Sequence, residues 1–356
     1  MRVGVIGAHP SRGWARAVHL PALAALPDYE VTAVASTSQA VADQAAAVWG
    51  ARHAFADPYA LISHPDVDLV TVAVQLPRRD GLVEAAIAAG RHVYSEWPLA
   101  RSAEEATHLR RLADQAGVRH AVGLQSRHHP AIRHLRALLA AGRIGKIMSA
   151  SLTYSLATPE VWSRRYADLF DHTKGVNHLA VVGGHAMDMF GSAVGHPTEI
   201  AATLTTRIAR ITLEETGEQI PVTSPDQIAA VGLLESGATA SVHIMTGGPV
   251  GDGFRIEVHG RSGRLVLRAR DDSLVGPEFT LTVSDGTGRG TELPVPAEHR
   301  HTPPAAPPAV HNVRQVYADL AAGHPVEPDF GTAERTHRLI DAIARSAATG
   351  TRQRLH

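Results

Sequence analysis

A chain of 356 residues exceeds one compact core and points to two domains, and 44% apolar with 19% charged residues provides for an ordinary buried interior. The formal net charge of -1, with no long like-charge block, excludes electrostatic capture of nucleic acid or of an anionic membrane. The absence of cysteine excludes disulfides, thiolate catalysis and cysteine-ligated metals, and no uninterrupted apolar run is long enough for a membrane span.

The N-terminus Met1-Arg2-Val3-Gly4-Val5-Ile6-Gly7 reads directly as a strand, without the apolar stretch and cleavage site of a signal peptide, so a cytoplasmic protein is expected. An Ala-rich helix follows from about Trp14 to Leu26, then a strand over 30–35 and a helix over 38–48. Residues 68–74 form a continuous apolar run, as in a strand covered on both faces. A helix over 80–89 ends at Gly90, His92 to Ser95 is a short strand, a helix over 102–116 ends at Gly117, and Arg119 to Leu124 is another strand. This alternation is that of a doubly wound parallel sheet, an α/β Rossmann domain over 1–125.

Beyond residue 125 the rhythm changes. A helix at 130–141 is followed by β-rich segments at 146–157, 199–209, 227–235, 238–246, 254–259 and 263–269. The turns Glu235-Ser236-Gly237 and Gly260-Arg261-Ser262-Gly263 join neighbours as hairpins. Residues 126–356 thus read as an α+β domain with an antiparallel sheet. Residues 292–309 form a Pro/Ala-rich loop. Two closing helices, about 310–322 and 331–348, return to pack on the first domain or on the sheet.

A strand that enters a glycine-containing turn and then a helix points backbone N–H groups at a pyrophosphate. Here the turn is Gly7-Ala8-His9-Pro10-Ser11-Arg12-Gly13-Trp14, one residue longer than G-x-G-x-x-G and lacking its middle glycine. Ser11 and Arg12 suit phosphate oxygens better than His9 does. The second strand ends in Ala35-Ser36-Thr37-Ser38, with no carboxylate for a ribose diol. This leans towards NADP(H), with NAD(H) still possible; the other reading of these hydroxyls is an N-cap. Among 22 histidines, the adjacent pair His128-His129 stands beside Pro130 and reads as a solvated helix start, so no metal site is expected.

The Rossmann half, Glu96-Trp97-Pro98-Leu99-Ala100, Gly142-Arg143-Ile144-Gly145-Lys146-Ile147, and the ending with Glu327-Pro328-Asp329 and Arg345 to Gly350 resemble the glucose–fructose oxidoreductase/inositol dehydrogenase (Gfo/Idh/MocA) family. The resemblance spans essentially the whole chain. It implies an open-faced sheet whose outer face makes homodimers or homotetramers, and NAD(P) in the cleft between domains. Its cofactor contacts fall at Gly7, Ser11, Arg12, Gly13, Trp14, Ser36, Thr37, Gln75, Glu96 and Gln125.

The family's Glu-Lys-Pro signature has Trp97 in place of the lysine, and the aspartate four residues before its histidine corresponds to Val181. The histidine is retained as His185 in Gly183-Gly184-His185-Ala186-Met187-Asp188. The long turn with Gly13-Trp14, the Glu96-Trp97 pair, Leu124-Gln125-Ser126-Arg127 and Pro225-Asp226-Gln227 resemble a subgroup that includes the yeast galactose-regulon repressor. Three readings follow. The first is an oxidoreductase of a sugar-like small molecule, with His185 as proton-exchanging group and Lys174 as replacement cation. Trp97, Asn177, His178 and Tyr94 are its substrate-side candidates, Trp97 either as a stacking platform or as a cap on the nicotinamide pocket. The second is a non-catalytic nucleotide sensor acting on a protein partner, and the third a redox-cycling lyase, epimerase or glycosidase.

Overall fold

The computed structural model describes residues 1–269, 278–285, 290–300, 306–323 and 325–355. The chain forms two units, Met1–Gln125 with Ala306–Arg335, and Ser126–Ala305 with Thr336–His356. In the first, β1 (Arg2–Ile6), β2 (Glu30–Ala35), β3 (His53–Phe55), β4 (Leu69–Val72), β5 (His92–Ser95) and β6 (His120–Val122) make a parallel sheet in the order β3-β2-β1-β4-β5-β6. The order reverses at β1, and ligands of such sheets bind beyond the carboxyl ends of the strands at that switch point. Leu69 to Val72 is buried throughout, which is why that strand reads as unbroken apolar sequence.

Helices α1 (Leu20–Ala24), α2 (Gln39–Trp49), α3 (Pro58–Ser63), α4 (Leu82–Ala88) and α5 (Ala103–Ala116) connect the strands. The residues after the glycine turn, Ala15–His19, wind as a π-helix before α1 begins. α2 and α5 start on serine caps, Ser38 accepting from Val41 N–H and Ser102 from Glu105 N–H, and end on Gly50 and Gly117 in the left-handed region. β3 and α3 are not foreseen in the sequence reading. β3 has three half-buried residues, too few for a period to register.

In the second unit, α6 (Pro130–Ala140), β7 (Ile147–Ala157), β8 (Val161–Trp162), α7 (Gly184–Val194) and β9 (Pro197–Thr205) come first, then β10 (Arg210–Leu213), β11 (Gln219–Pro221), β12 (Gln227–Leu234) and β13 (Thr239–Gly248). β14 (Gly253–Gly260), β15 (Gly263–Ala269), β16 (Phe279–Ser284) and β17 (Thr291–Glu292) follow. α8 (Pro308–Ala322), α9 (Phe330–Thr349) and β18 (Gln353–Arg354) close the chain. The main sheet runs β17-β16-β15-β14-β7-β13-β12-β9-β18. It is antiparallel except between β7 and β13, which run parallel from Thr239↔Ser149, so the expected antiparallel sheet is a mixed one. β9 stops at Thr205, short of the expected 209, because the N–H groups of Arg207 and Ile208 donate to Asp226 Oδ2, each at 2.7 Å. On β12 the exposed face carries Ala229, Val231 and Leu233, while β13 presents Thr239, Ser241 and His243 beside it.

The division falls at Gln125/Ser126, and Ala306–Arg335 groups with the first unit, so α8 takes the first of the two placements read for the closing helices. Val310, Val313, Val316, Tyr317 and Leu320 lie at helical spacing on α8 and are buried in one cluster with Val18, Leu20 and Leu23. Part of the Pro/Ala-rich loop, residues 301–305, lies outside the described residues. Among the described residues no helix is long and apolar enough to cross a membrane.

Candidate functional site

The turn after β1 is shaped by backbone conformation. Gly7 has φ +94°, and a Cβ there would lie 2.9 Å from Val74 Cγ1 and 3.0 Å from Ala73 O. Gly13 has φ +88° with nothing within 4 Å, so glycine is required there by its left-handed backbone and not by crowding within the chain. Between them Ser11 and Arg12 are exposed. His9 braces the loop, with Nδ1 3.1 Å from Ser11 N and Nε2 3.1 Å from Arg12 Nε; a neutral imidazole accepts through one of these at a time. Burial and then the Arg12 charge lower the His9 pKa, which favours that neutral form. Trp14 is half-buried, its indole N–H enclosed and unbonded. At the end of β2, Ser38 is the cap, while Ser36 is half-buried and Thr37 exposed.

The corner after β5 is held by one buried guanidinium. The buried Arg79 guanidinium donates to Val74 O (3.2 and 2.7 Å), Ser95 Oγ (3.2 Å), Pro98 O (2.5 Å) and Glu96 O. Burial lowers its pKa to about 10, so it keeps its charge at neutral pH. Glu96 projects its carboxylate beside Gly123, where a Cβ would lie 2.5 Å from Oε2. Its Oε1 is 2.7 Å from His19 Nε2, and His19 Nδ1 is 2.8 Å from the Tyr317 hydroxyl, itself 2.9 Å from Thr71 Oγ1. His19, Tyr317 and Thr71 are completely buried. His19, Arg79, Gly123 and Tyr317 were not singled out in the sequence. A histidine inside the Ala-rich segment after the turn was the available signal for the first.

Tyr94 is wholly buried, with its ring edge-on to His19 at 4.9 Å between centroids. Burial, and then Glu96, raise its pKa well above the ordinary value. Its ring belongs to the core cluster of this unit, and its hydroxyl is buried and unbonded. Trp97 is 6% exposed, so its indole is not an open platform. Gln75 is exposed at the start of the turn Leu76–Arg78. Gln125 is 0% exposed with neither amide atom hydrogen-bonded.

In the second unit, Leu179–Gly183 forms a second π-helical segment that runs into α7, and His185 stands in the first turn of that helix. Such segments occur frequently at functional sites. Arg127 clamps α7 by donating to both carboxylate oxygens of the buried Asp188, at 3.1 and 2.5 Å. Asn177 Oδ1 accepts from Ala180 N–H at 3.0 Å, so the expected substrate contact is committed at that oxygen to starting the helical segment. Lys174 is exposed at the end of the turn His172–Lys174. His178 is 4% exposed, donates its backbone N–H to Ser224 Oγ at 3.1 Å, and has its pKa lowered to about 4 by burial. Its Nδ1, Asp226 Oδ1 and Thr246 Oγ1 are all buried and unbonded.

The residues of the first unit fit a dinucleotide. Gly7 and Gly13 in the left-handed region, the open space over Gly13 and the unbonded Gln125 amide are compatible with a ligand that carries phosphate and amide groups.

Residues 1–124 match the family model described as oxidoreductase family, NAD-binding Rossmann fold, and residues 130–269 match that of the Gal80p C-terminal domain. Among curated proteins, the chain is 34% identical to dehydrogenase aclE of Aspergillus oryzae over 57% of each chain, so it spans little more than half of that relative. It is 27% identical to the galactose/lactose metabolism regulatory protein GAL80 of Kluyveromyces lactis, over 82% of this chain and 70% of that one. Among solved structures, levoglucosan dehydrogenase in complex with NADH and levoglucosan superposes with a TM-score of 0.82 at 23% identity, covering 99% of each chain.

Proposed function

As the chain belongs to the Gfo/Idh/MocA oxidoreductase family, with an NAD-binding Rossmann domain and a C-terminal domain of the Gal80p type, we propose that it binds NAD(P) and oxidises or reduces a hydroxyl or carbonyl carbon of a small sugar-like molecule. The observation that carries this reading is Gln125. A fully buried amide with neither end bonded costs about 1–3 kcal/mol per group, and a bound polar ligand removes that cost. The nicotinamide ring supplies the hydride donor or acceptor when bound.

The chain's own groups do the rest. Gly7 and Gly13 hold the turn open, Ser11 and Arg12 offer a hydroxyl and a guanidinium to phosphate, and Trp14 adds an enclosed indole N–H. Ser36 and Thr37 accept a 2′-phosphate without repulsion, which favours NADP(H). Glu96 is held by His19, and Arg79 holds the corner beneath it. His185 exchanges the proton of the reacting oxygen, and Lys174 is the candidate cation. His178 stays neutral around pH 7 and presents an uncommitted Nδ1. The strip Ala229, Val231 and Leu233 is the surface on which a second copy would pack.

A specific observation favours a second reading, a nucleotide sensor: the positions of the family's lysine and aspartate hold the buried Trp97 and the half-buried Val181. Assays of purified protein with NAD(P)H and a panel of hexoses and deoxysugars separate the two. An enzyme changes the reduced-nicotinamide absorbance, and His185→Ala lowers its rate about a hundredfold or more while cofactor still binds, with a smaller loss in Lys174→Ala. Cofactor binding without turnover on any sugar favours the sensor. Unchanged turnover in His185→Ala removes that residue from the chemistry.

A further inference from the structure

At the amino-terminal edge of the parallel sheet, opposite the glycine turn, three side chains from separate elements converge. His53 opens β3, His64 caps the C-terminus of α3, and Asp66 lies in the turn that leads to β4. One possible ligand atom of each lies within 4.8 Å of the other two. His53 Nε2 is 3.0 Å from Asp66 Oδ2, and the two imidazole centroids are 4.0 Å apart. His64 Nδ1 accepts from the Asp66 backbone N–H at 3.2 Å. Thr32 Oγ1 donates to Asp66 O at 2.6 Å, and Arg2 Nη1 donates to Asp66 Oδ1 at 3.0 Å.

We propose that His53, His64 and Asp66 form a binding site for a zinc-like divalent transition-metal ion, with water completing its coordination. Two imidazoles and one carboxylate are donors that favour zinc and its neighbours over magnesium or calcium, which take oxygen ligands. Donor atoms around tetrahedral zinc lie roughly 3.3–3.6 Å apart, so a side-chain adjustment of about 1 Å closes the group. Asp66 Oδ1 stays on Arg2, which orients the carboxylate and leaves Oδ2 for the ion. His64 exchanges the Asp66 N–H for the metal at Nδ1. All three side chains are half-buried, so ions reach them from solvent. At about 3.3 Å per residue, β1 separates this edge from the glycine turn by roughly 15 Å. The ion therefore braces the edge strand β3 against the turn before β4 and takes no part in nicotinamide chemistry.

The test is calorimetric titration of Zn²⁺, and separately Mg²⁺, into tag-free, chelator-treated protein, with thermal unfolding followed in parallel. One equivalent of Zn²⁺ binds at micromolar affinity and raises Tm, whereas Mg²⁺ does neither. His53→Ala and His64→Ala each weaken Zn²⁺ binding by about tenfold or more, and His108→Ala, on another face, retains it. Where the alanine variants fail to fold, visible absorption of Co²⁺ on the unaltered protein decides. Intense four-coordinate bands support the site, and weak bands like those of aqueous Co²⁺ overturn it. Absence of Zn²⁺ binding in the unaltered protein, or equal binding by the folded His53 and His64 variants, also overturns it.

Discussion

His19 Nε2 lies 2.7 Å from Glu96 Oε1, so the first helical segment after the glycine turn reaches the corner that follows β5. The other ring nitrogen lies 2.8 Å from the hydroxyl of Tyr317, on α8. A buried line of polar groups therefore runs from the returning helix to the Glu96 carboxylate.

Tyr317→Phe tests what that line contributes. The substitution keeps the ring and deletes the hydroxyl between His19 Nδ1 and Thr71 Oγ1, leaving two buried polar atoms short of a partner. Stability should fall by about 1–3 kcal/mol. Urea denaturation measures it, and a loss near zero would show that solvent reaches the pair.

Gly13 and Gly7 should respond differently to substitution. Gly13→Val meets open space and pays for its positive φ alone, about 1–2 kcal/mol, so the fold persists while nucleotide binding weakens. Gly7→Val adds contacts with Val74 and Ala73 and should lower Tm further. Thermal melts with fluorescence titration of NAD(P)H check both, and normal binding by Gly13→Val would remove the turn from the phosphate site.

Cofactor choice turns on the end of β2. NADP(H) should bind at least as tightly as NAD(H), and Ser36→Asp should shift the ratio towards NAD(H) by about tenfold, or ~1.4 kcal/mol, because a carboxylate repels a 2′-phosphate. Parallel titrations of the four nucleotides are the measurement. A native preference for NAD(H) by a wide margin would contradict the assignment.

Buried histidines should make the protein acid-sensitive. His178 has its pKa lowered to about 4 by burial, below its unfolded value of about 6.5. Between those values the unfolded state binds more protons, so stability rises with pH and is lost as pH falls from about 6.5 towards 4. The full shift is worth on the order of 3 kcal/mol. His337, lowered to about 3 by burial, adds a loss of the same sign. Comparing His178→Gln with the unaltered protein from pH 7 to 4.5 isolates the first contribution; parallel stability curves would show that His178 is solvated.

The sequence by itself determined five of the six parallel strands and most of their helices, because apolar runs and glycine stops are local signals. It also located the glycine turn and the positions of Trp97 and Val181, since these depend only on chain order. The tertiary structure alone decided the rest. α8 belongs to the first unit because its apolar stripe is buried with α1, and a stripe does not name its partner. Tyr94 became a core residue because period-two alternation assigns faces without saying which face is covered. The parallel β7–β13 pair arises between strands that are neighbours in the sheet but not in sequence. The Glu96–His19–Tyr317 line joins residues up to 298 positions apart, and distance-dependent bonds of that kind carry no local spacing to read.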